Sequence, residues 1–170
     1  MTERLSADDQ IAIRDVISHY AWSLDTGNVE AFVSCYTRDG VLIWDAFEEP
    51  LRFEGAEALR HFATFIRDQP ASAGRQHHVT NVIVTPCEGG ARAISYGAVA
   101  LRQGDGPHSL HVMGYYEDIF RKEDGAWRMA ERVIRDWSGP IVAGFAGQTG
   151  EREARPLPPP LRGLIFKAQK

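Results

Sequence analysis

The chain is poor in cysteine, in clustered positive charge and in long apolar runs. Its two cysteines, Cys35 and Cys87, form no Cys-x-x-Cys pair and no zinc-ligand spacing. That excludes a disulfide scaffold and leaves reduced thiols in a cytoplasmic protein as the expectation. No run of five or more basic residues occurs and the net charge is −4. Nucleic acid is therefore not an expected partner, because phosphate binding needs clustered Lys and Arg. No stretch approaches the ~20 apolar residues of a membrane span, and the start Met-Thr-Glu-Arg-Leu-Ser has no apolar leader, so no membrane partner is expected. There is no phosphate-binding loop, no dinucleotide glycine pattern and no internal repeat, and no cofactor is expected. Ser109 has no nucleophile-elbow context, which argues against a serine hydrolase.

What remains is a chain of 170 residues, long enough for one core and short for two. Ser6, with Asp9 three residues on, has the form of a capping box opening a helix. Ile13, Val16, Ile17, Tyr20, Ala21 and Leu24 follow at helical spacing. Asn28 caps a second, short helix with Val29, Phe32, Val33 and Tyr36 as its stripe. Asp39-Gly40 reads as a turn, residues 41–44 as a strand, and residues 51–53 as its hairpin partner. Gly55 opens a third helix. The apolar period then changes from 3.6 to 2, and four long strands are expected near residues 77–85, 91–102, 110–122 and 127–135. Helices first and a meander afterwards is an α+β order. Three helices on one face of a strongly curved, mostly antiparallel sheet would enclose a pocket for a small molecule. Residues 139–170 hold five of the nine prolines together with many apolar residues. Pure linkers are not this apolar. They read as a C-terminal arm following a domain of residues 1–138, laid either on a neighbouring subunit or over the pocket mouth.

Two places carry candidate chemistry. Asp25 ends the first helix in Tyr20-Ala-Trp-Ser-Leu-Asp25-Thr-Gly-Asn28. The negative end of the helix dipole, two aromatic rings and Leu24 would all raise its pKa and favour a base. Asp before Thr-Gly-Asn is also ordinary turn chemistry. Tyr20, five residues earlier, lies about 140° away round a regular helix and does not share a face with Asp25. The second place is Gln76-His77-His78-Val79-Thr80-Asn81. On a strand only one of His77 and His78 can enter a pocket. His77, Val79, Asn81 and Ile83 share one face; His78, Thr80, Val82 and Val84 share the other. His111 is a third imidazole on a later strand. No metal is expected, because these histidines and Asp25 have no recognised ligand spacing. Trp44, Tyr96 and Tyr116, with Trp22, Phe47, Phe53 and Tyr115, would line or support aromatic walls suited to a flat apolar ligand.

The helix ending Tyr-x4-Asp-Thr-Gly-Asn, residues 32–40 (Phe-Val-Ser-Cys-Tyr-Thr-Arg-Asp-Gly), residues 55–62 (Gly-Ala-Glu-Ala-Leu-Arg-His-Phe), residues 77–81 and the Asp-Gly-x-Trp within residues 116–132 together resemble a SnoaL-like protein of the NTF2-like superfamily. The resemblance implies the NTF2-like cone. Its nearest mechanistic parallel is to dehydratases of the scytalone dehydratase and bile-acid 7α-dehydratase kind. It implies Asp25 as the helix-end acid, His77 as the strand histidine and Tyr20 as the neighbouring hydroxyl. The second catalytic histidine of scytalone dehydratase would fall near Gln103, so that role is missing or taken by His111. The expectation is a cofactor-independent lyase using Asp25, His77 and Tyr20 on a hydrophobic cyclic or polycyclic substrate. Trp44, His78, Tyr96, His111 and Tyr116 are expected to contact that substrate. An isomerase or polyketide-cyclase-like enzyme with the same dyad is the alternative, as is a non-catalytic subunit like the β subunits of ring-hydroxylating dioxygenases. A homodimer or homotrimer is expected, since an open sheet face needs covering.

Overall fold

Ser6 accepts a hydrogen bond from the Asp9 amide, and the Asp9 carboxylate accepts one from the Ser6 amide, so the expected box closes the first turn of α1 (Ala7–Thr26). In this computed structural model, which describes residues 4–102, 104–137 and 155–165, α1 ends at Gly27, held left-handed at φ 70°. The Asn28 side chain accepts from the Ala31 amide and starts α2 (Val29–Ser34). The strands are β1 (Tyr36–Asp45), β2 (Leu51–Glu54), β3 (Gln76–Cys87), β4 (Gly90–Arg102), β5 (His108–Glu123) and β6 (Ala126–Asp136). Between β2 and β3 lies α3 (Gly55–Asp68), followed by a 3-10 turn at Pro70–Ser72.

The strands form one curved, unclosed sheet in the order β2-β1-β6-β5-β4-β3. Every pairing is antiparallel except β1 with β6. The helices cover one face. Ile13, Ile17, Phe32, Leu42, Leu59 and Phe120 lie at its core, each at most 1% exposed. The hairpin of β1 with residues 51–54 and the four long strands match the period-2 reading.

Asp39-Gly40 is not a turn. Both residues lie inside β1, where the register against β6 shifts between Tyr36 and Val41. The strand bends there, and a Cβ on Gly40 would sit 2.8 Å from the Tyr36 Cβ, so close approach of the chain to itself calls for glycine. A second irregularity matters more for function. In β3 the register against β4 shifts between Thr80 and Ile83, and Asn81 adopts φ 55°. This bulge inserts one residue and reverses the alternation. His77 and Val79 face inward before it, and Val82 and Val84 after it, while His78, Thr80 and Ile83 are exposed. Neither four-residue face drawn from strict alternation survives.

Part of the expected arm belongs to this fold. Pro159–Leu164 is a 3-10 helix on α3, with Leu164 1% exposed and the Gly163 carbonyl 3.2 Å from His61 Nε2. The Arg155 carbonyl accepts from the Glu48 amide at 2.8 Å. The rest of the arm, residues 139–154 and 166–170, lies outside the described residues, as does Gln103.

Candidate active site

Between α1, α3 and the inner sheet face lies a cavity of about 250 Å³. Tyr20 and Leu24 come from α1, Phe62 and Ile66 from α3, and Trp44, His77, Tyr116 and Ile134 from the sheet. Pro160 and Leu161 complete one wall, so the C-terminal segment covers part of its own domain's cavity.

Asp25 stands behind the His77 wall. Its Oδ1 is 2.5 Å from His77 Nδ1, and its Oδ2 accepts the His77 backbone N–H at 2.7 Å. Because β3 is an edge strand, that amide has no further strand to pair with, and the carboxylate takes it. One side chain thus pins the strand to the helix end and orients the ring. Only 10% of the His77 side chain and 15% of Asp25 are exposed. An ionised carboxylate only accepts, so Nδ1 carries the hydrogen, which in the neutral imidazole leaves the lone pair on Nε2.

The expected rise in the Asp25 pKa does not occur. Burial does push it up, but hydrogen bonds from the His77 ring and backbone, with the charge of Arg75, outweigh burial and hold Asp25 below the usual carboxylate range. Arg75 also removes the helix-end objection. Its Nη2 donates to the Leu24 carbonyl at 2.6 Å and its Nε lies 3.5 Å from Asp25 Oδ1, so a buried cation sits at the negative end of α1. Tyr20 reaches the same histidine without any loosening of α1: the Tyr20 and His77 rings are 6.5 Å apart, edge to face.

Beneath the cavity lies a buried ion pair. Arg132 donates from Nε and Nη2 to the two Asp118 oxygens, both at 2.7 Å, and neither side chain has any exposed surface. The Arg132 guanidinium lies 4.0 Å from the Tyr20 ring centroid and 4.4 Å from that of Tyr116. Burial pushes the Tyr20 and Tyr116 hydroxyls above their ordinary range, more strongly than Arg132 pulls them down, so both stay protonated at neutral pH.

The structure brings together Asp25, His77, Tyr20, Trp44 and Tyr116. It does not bring in His78, Tyr96 or His111. His78 is exposed, turned outward by strand alternation. Tyr96 is 43% exposed and meets the Trp137 ring edge to face, while its neighbour Ser95 faces inward. His111 is exposed and lies 3.1 Å from the Ser109 hydroxyl. Trp22 is 72% exposed and is not among the described residues that line the cavity. Among the described residues no cluster of three His, Cys, Asp or Glu could hold a metal ion, and no helix is long and apolar enough to cross a membrane. Sequence reasoning missed Arg75, Asp118 and Arg132. A signal existed for Asp118: it alternates with Tyr116 and Phe120, which puts a carboxylate on the core-facing side of a strand.

A family model for the SnoaL-like domain matches residues 5–133. The chain belongs to the SnoaL-like family. Solved structures agree with this SnoaL-like assignment. A protein of unknown function with a cystatin-like fold from Nostoc punctiforme is 26% identical, covering 82% of this chain and 99% of that one, with a TM-score of 0.69. An NTF2-like protein from Novosphingobium aromaticivorans is 25% identical over 80% of this chain and 86% of its own, with a TM-score of 0.67. A proposed scytalone dehydratase from the same organism shares the fold at 20% identity, 88% and 93% coverage and a TM-score of 0.64. No functionally curated protein matches the chain significantly. The SnoaL-like, NTF2-like fold includes enzymes but hosts many chemistries, so function is argued from the site.

Proposed function

We propose that the protein is a cofactor-independent lyase of the dehydratase type, acting on a small hydrophobic cyclic compound. The reading rests on one observation: the 2.5 Å contact of His77 Nδ1 with the Asp25 carboxylate, with the ring on the wall of an apolar cavity. Nε2 removes a proton from the carbon next to a carbonyl. The electron pair of that C–H bond moves onto the carbonyl oxygen as an enolate, which the Tyr20 hydroxyl stabilises by hydrogen bonding. The enolate collapses, the carbon–oxygen bond at the β position breaks, and the departing hydroxyl takes the proton from His77 as water. Asp25 stabilises the imidazolium in between. Such acid–base help is worth about 10²–10⁴-fold.

The test is turnover of a panel of cyclic β-hydroxyketones by the wild type and by His77→Ala and Asp25→Asn. Both variants should lose turnover by at least about 10²-fold while keeping their fold. Near-wild-type rates in either would sink the dyad. A product of unchanged mass would favour an isomerase, a reading supported by two protonated tyrosines, Tyr20 and Tyr116, flanking the place where an enolate would form. The homo-oligomer is part of the same proposal. Ile83, Tyr96 and Met113 stand exposed on the outer sheet face, and a monomer in sedimentation would count against it.

A further inference from the structure

We infer that the cavity is a filter for size and charge. It takes an uncharged substrate of one or two fused rings and rejects both anions of that size and four-ring skeletons. The inference rests on reading the cavity as the substrate site and narrows its substrate class. The size limit follows from volume. An apolar cavity of ~150 Å³ takes up benzene, so by proportion 250 Å³ takes about ten heavy atoms, the size of two fused six-membered rings. A steroid-like skeleton does not fit.

The wall that sets this limit comes from the C-terminal segment. Pro160 and Leu161 line the cavity, and they are anchored rather than loosely laid on. Leu164 is buried beside them, Gly163 bonds to His61 through its carbonyl, and its backbone lies so close to Phe65 that a Cβ there would meet the ring at 2.6 Å.

The charge limit follows from the lining. Among the described residues, Arg75 is the one permanently charged residue lining the cavity. It is already committed to the Leu24 carbonyl and faces Asp25, and its side chain is only 7% exposed. The Asp118–Arg132 pair below is likewise neutral as a unit. Among the described residues, each buried arginine at the cavity thus faces a carboxylate, Arg75 facing Asp25 and Arg132 facing Asp118. A carboxylate would give up its hydration for walls of Val99, Val112, Ile134 and Phe62 and gain no free cation, which is strongly unfavourable.

The experiment measures binding without turnover, by tryptophan fluorescence, with Trp44→Phe to assign the signal to the cavity. The probes are 2-tetralone, 2-naphthoate, anthrone and progesterone. Wild-type protein should bind 2-tetralone saturably, 2-naphthoate at least tenfold more weakly at pH 8, and progesterone not at all. Leu161→Gly should gain at least tenfold for the three-ring anthrone relative to 2-tetralone. Wild-type binding of 2-naphthoate or progesterone as tight as that of 2-tetralone would overturn the inference, as would no saturable binding of 2-tetralone. So would a folded Leu161→Gly with unchanged size preference. The wild-type series decides even if that variant fails to fold. A failed filter with His77-dependent turnover intact removes this inference alone; an intact filter without turnover removes the lyase reading alone.

Discussion

Replacing Asp118 with leucine should be among the most damaging single changes in this chain, and adding Arg132→Met should undo most of the damage. The two side chains have no exposed surface and share two hydrogen bonds of 2.7 Å. Hydrogen bonds to charged groups contribute about 1.5–3 kcal/mol each, so two give roughly 3–6. Breaking one partner of a buried pair costs about 3–5 kcal/mol, mostly because the other charge is stranded. Arg132 would be stranded badly: Asp118 raises its pKa against the opposing effect of burial, its Nη1 has no partner, and two aromatic rings enclose it. A loss of about 3–5 kcal/mol lowers Tm by roughly 6–20 °C at this chain length. In the double variant neither position 118 nor position 132 buries a charge. What is lost is packing and two cation–π contacts, so it should lie within about 2 kcal/mol of wild type. Urea unfolding of the wild type, both singles and the double measures this. Repeating it at about 0.1 and 1 M salt should leave the Asp118→Leu loss unchanged, because a sealed pair is not screened. A loss below about 1 kcal/mol in Asp118→Leu, or a double variant no more stable than that single, would refute the reasoning.

Other expected outcomes test other parts of the molecule. Asp25 has a folded-state pKa below its unfolded value of 3.8, so its carboxylate stabilises the fold above about pH 4 and loses that effect as pH falls through the folded pKa. The stability gap between wild type and Asp25→Asn should therefore be flat near neutrality and shrink in acid; a gap that widens in acid would contradict the assignment. In Gly97→Ala the new methyl would meet the Tyr116 ring at 2.6 Å, so the ring must shift, at about 1–3 kcal/mol of overpacking; an unchanged urea midpoint would show that the contact is not tight. Ser6→Ala removes the α1 cap and should cost about 1 kcal/mol in the same assay, with Ser6→Asp close to wild type.

Features written in neighbouring residues were legible from sequence. The caps at Ser6 and Asn28, the hairpin of residues 51–54 and the period-2 strands each depend on a few adjacent positions. Asp25 and the His77–His78 pair were legible as chemistry because proton-transfer groups stood in unusual settings. The missed features depend on distant partners. Strict alternation assigns faces to His77 and His78 only up to Asn81, whose positive φ reverses the count. Asp39-Gly40 has turn residues but sits in a strand, because β6, some ninety positions away, pairs with β1 on both sides of it, at Tyr36 and from Val41 onward. The Asp25 pKa was misjudged in sign because the interactions of its carboxylate with His77 and then with Arg75, both placed beyond α3 in the chain, outweigh burial. Arg132 reads as an ordinary strand arginine until Asp118 is set opposite it.

The one parallel pairing in the sheet constrains how the chain is made. The antiparallel meander of β3 to β6 zips through local turns, but β1 waits with only the four-residue β2 beside it until β6 has been synthesised. Closing that loop is the strand pairing of greatest sequence separation in the sheet, and such contacts form slowly. A nascent chain released before residue 126 exposes one edge of β1 and the inner face that α1 should share with β6. The helical half, although made first, becomes native last, and a growing chain is most exposed to aggregation just before its final strand emerges.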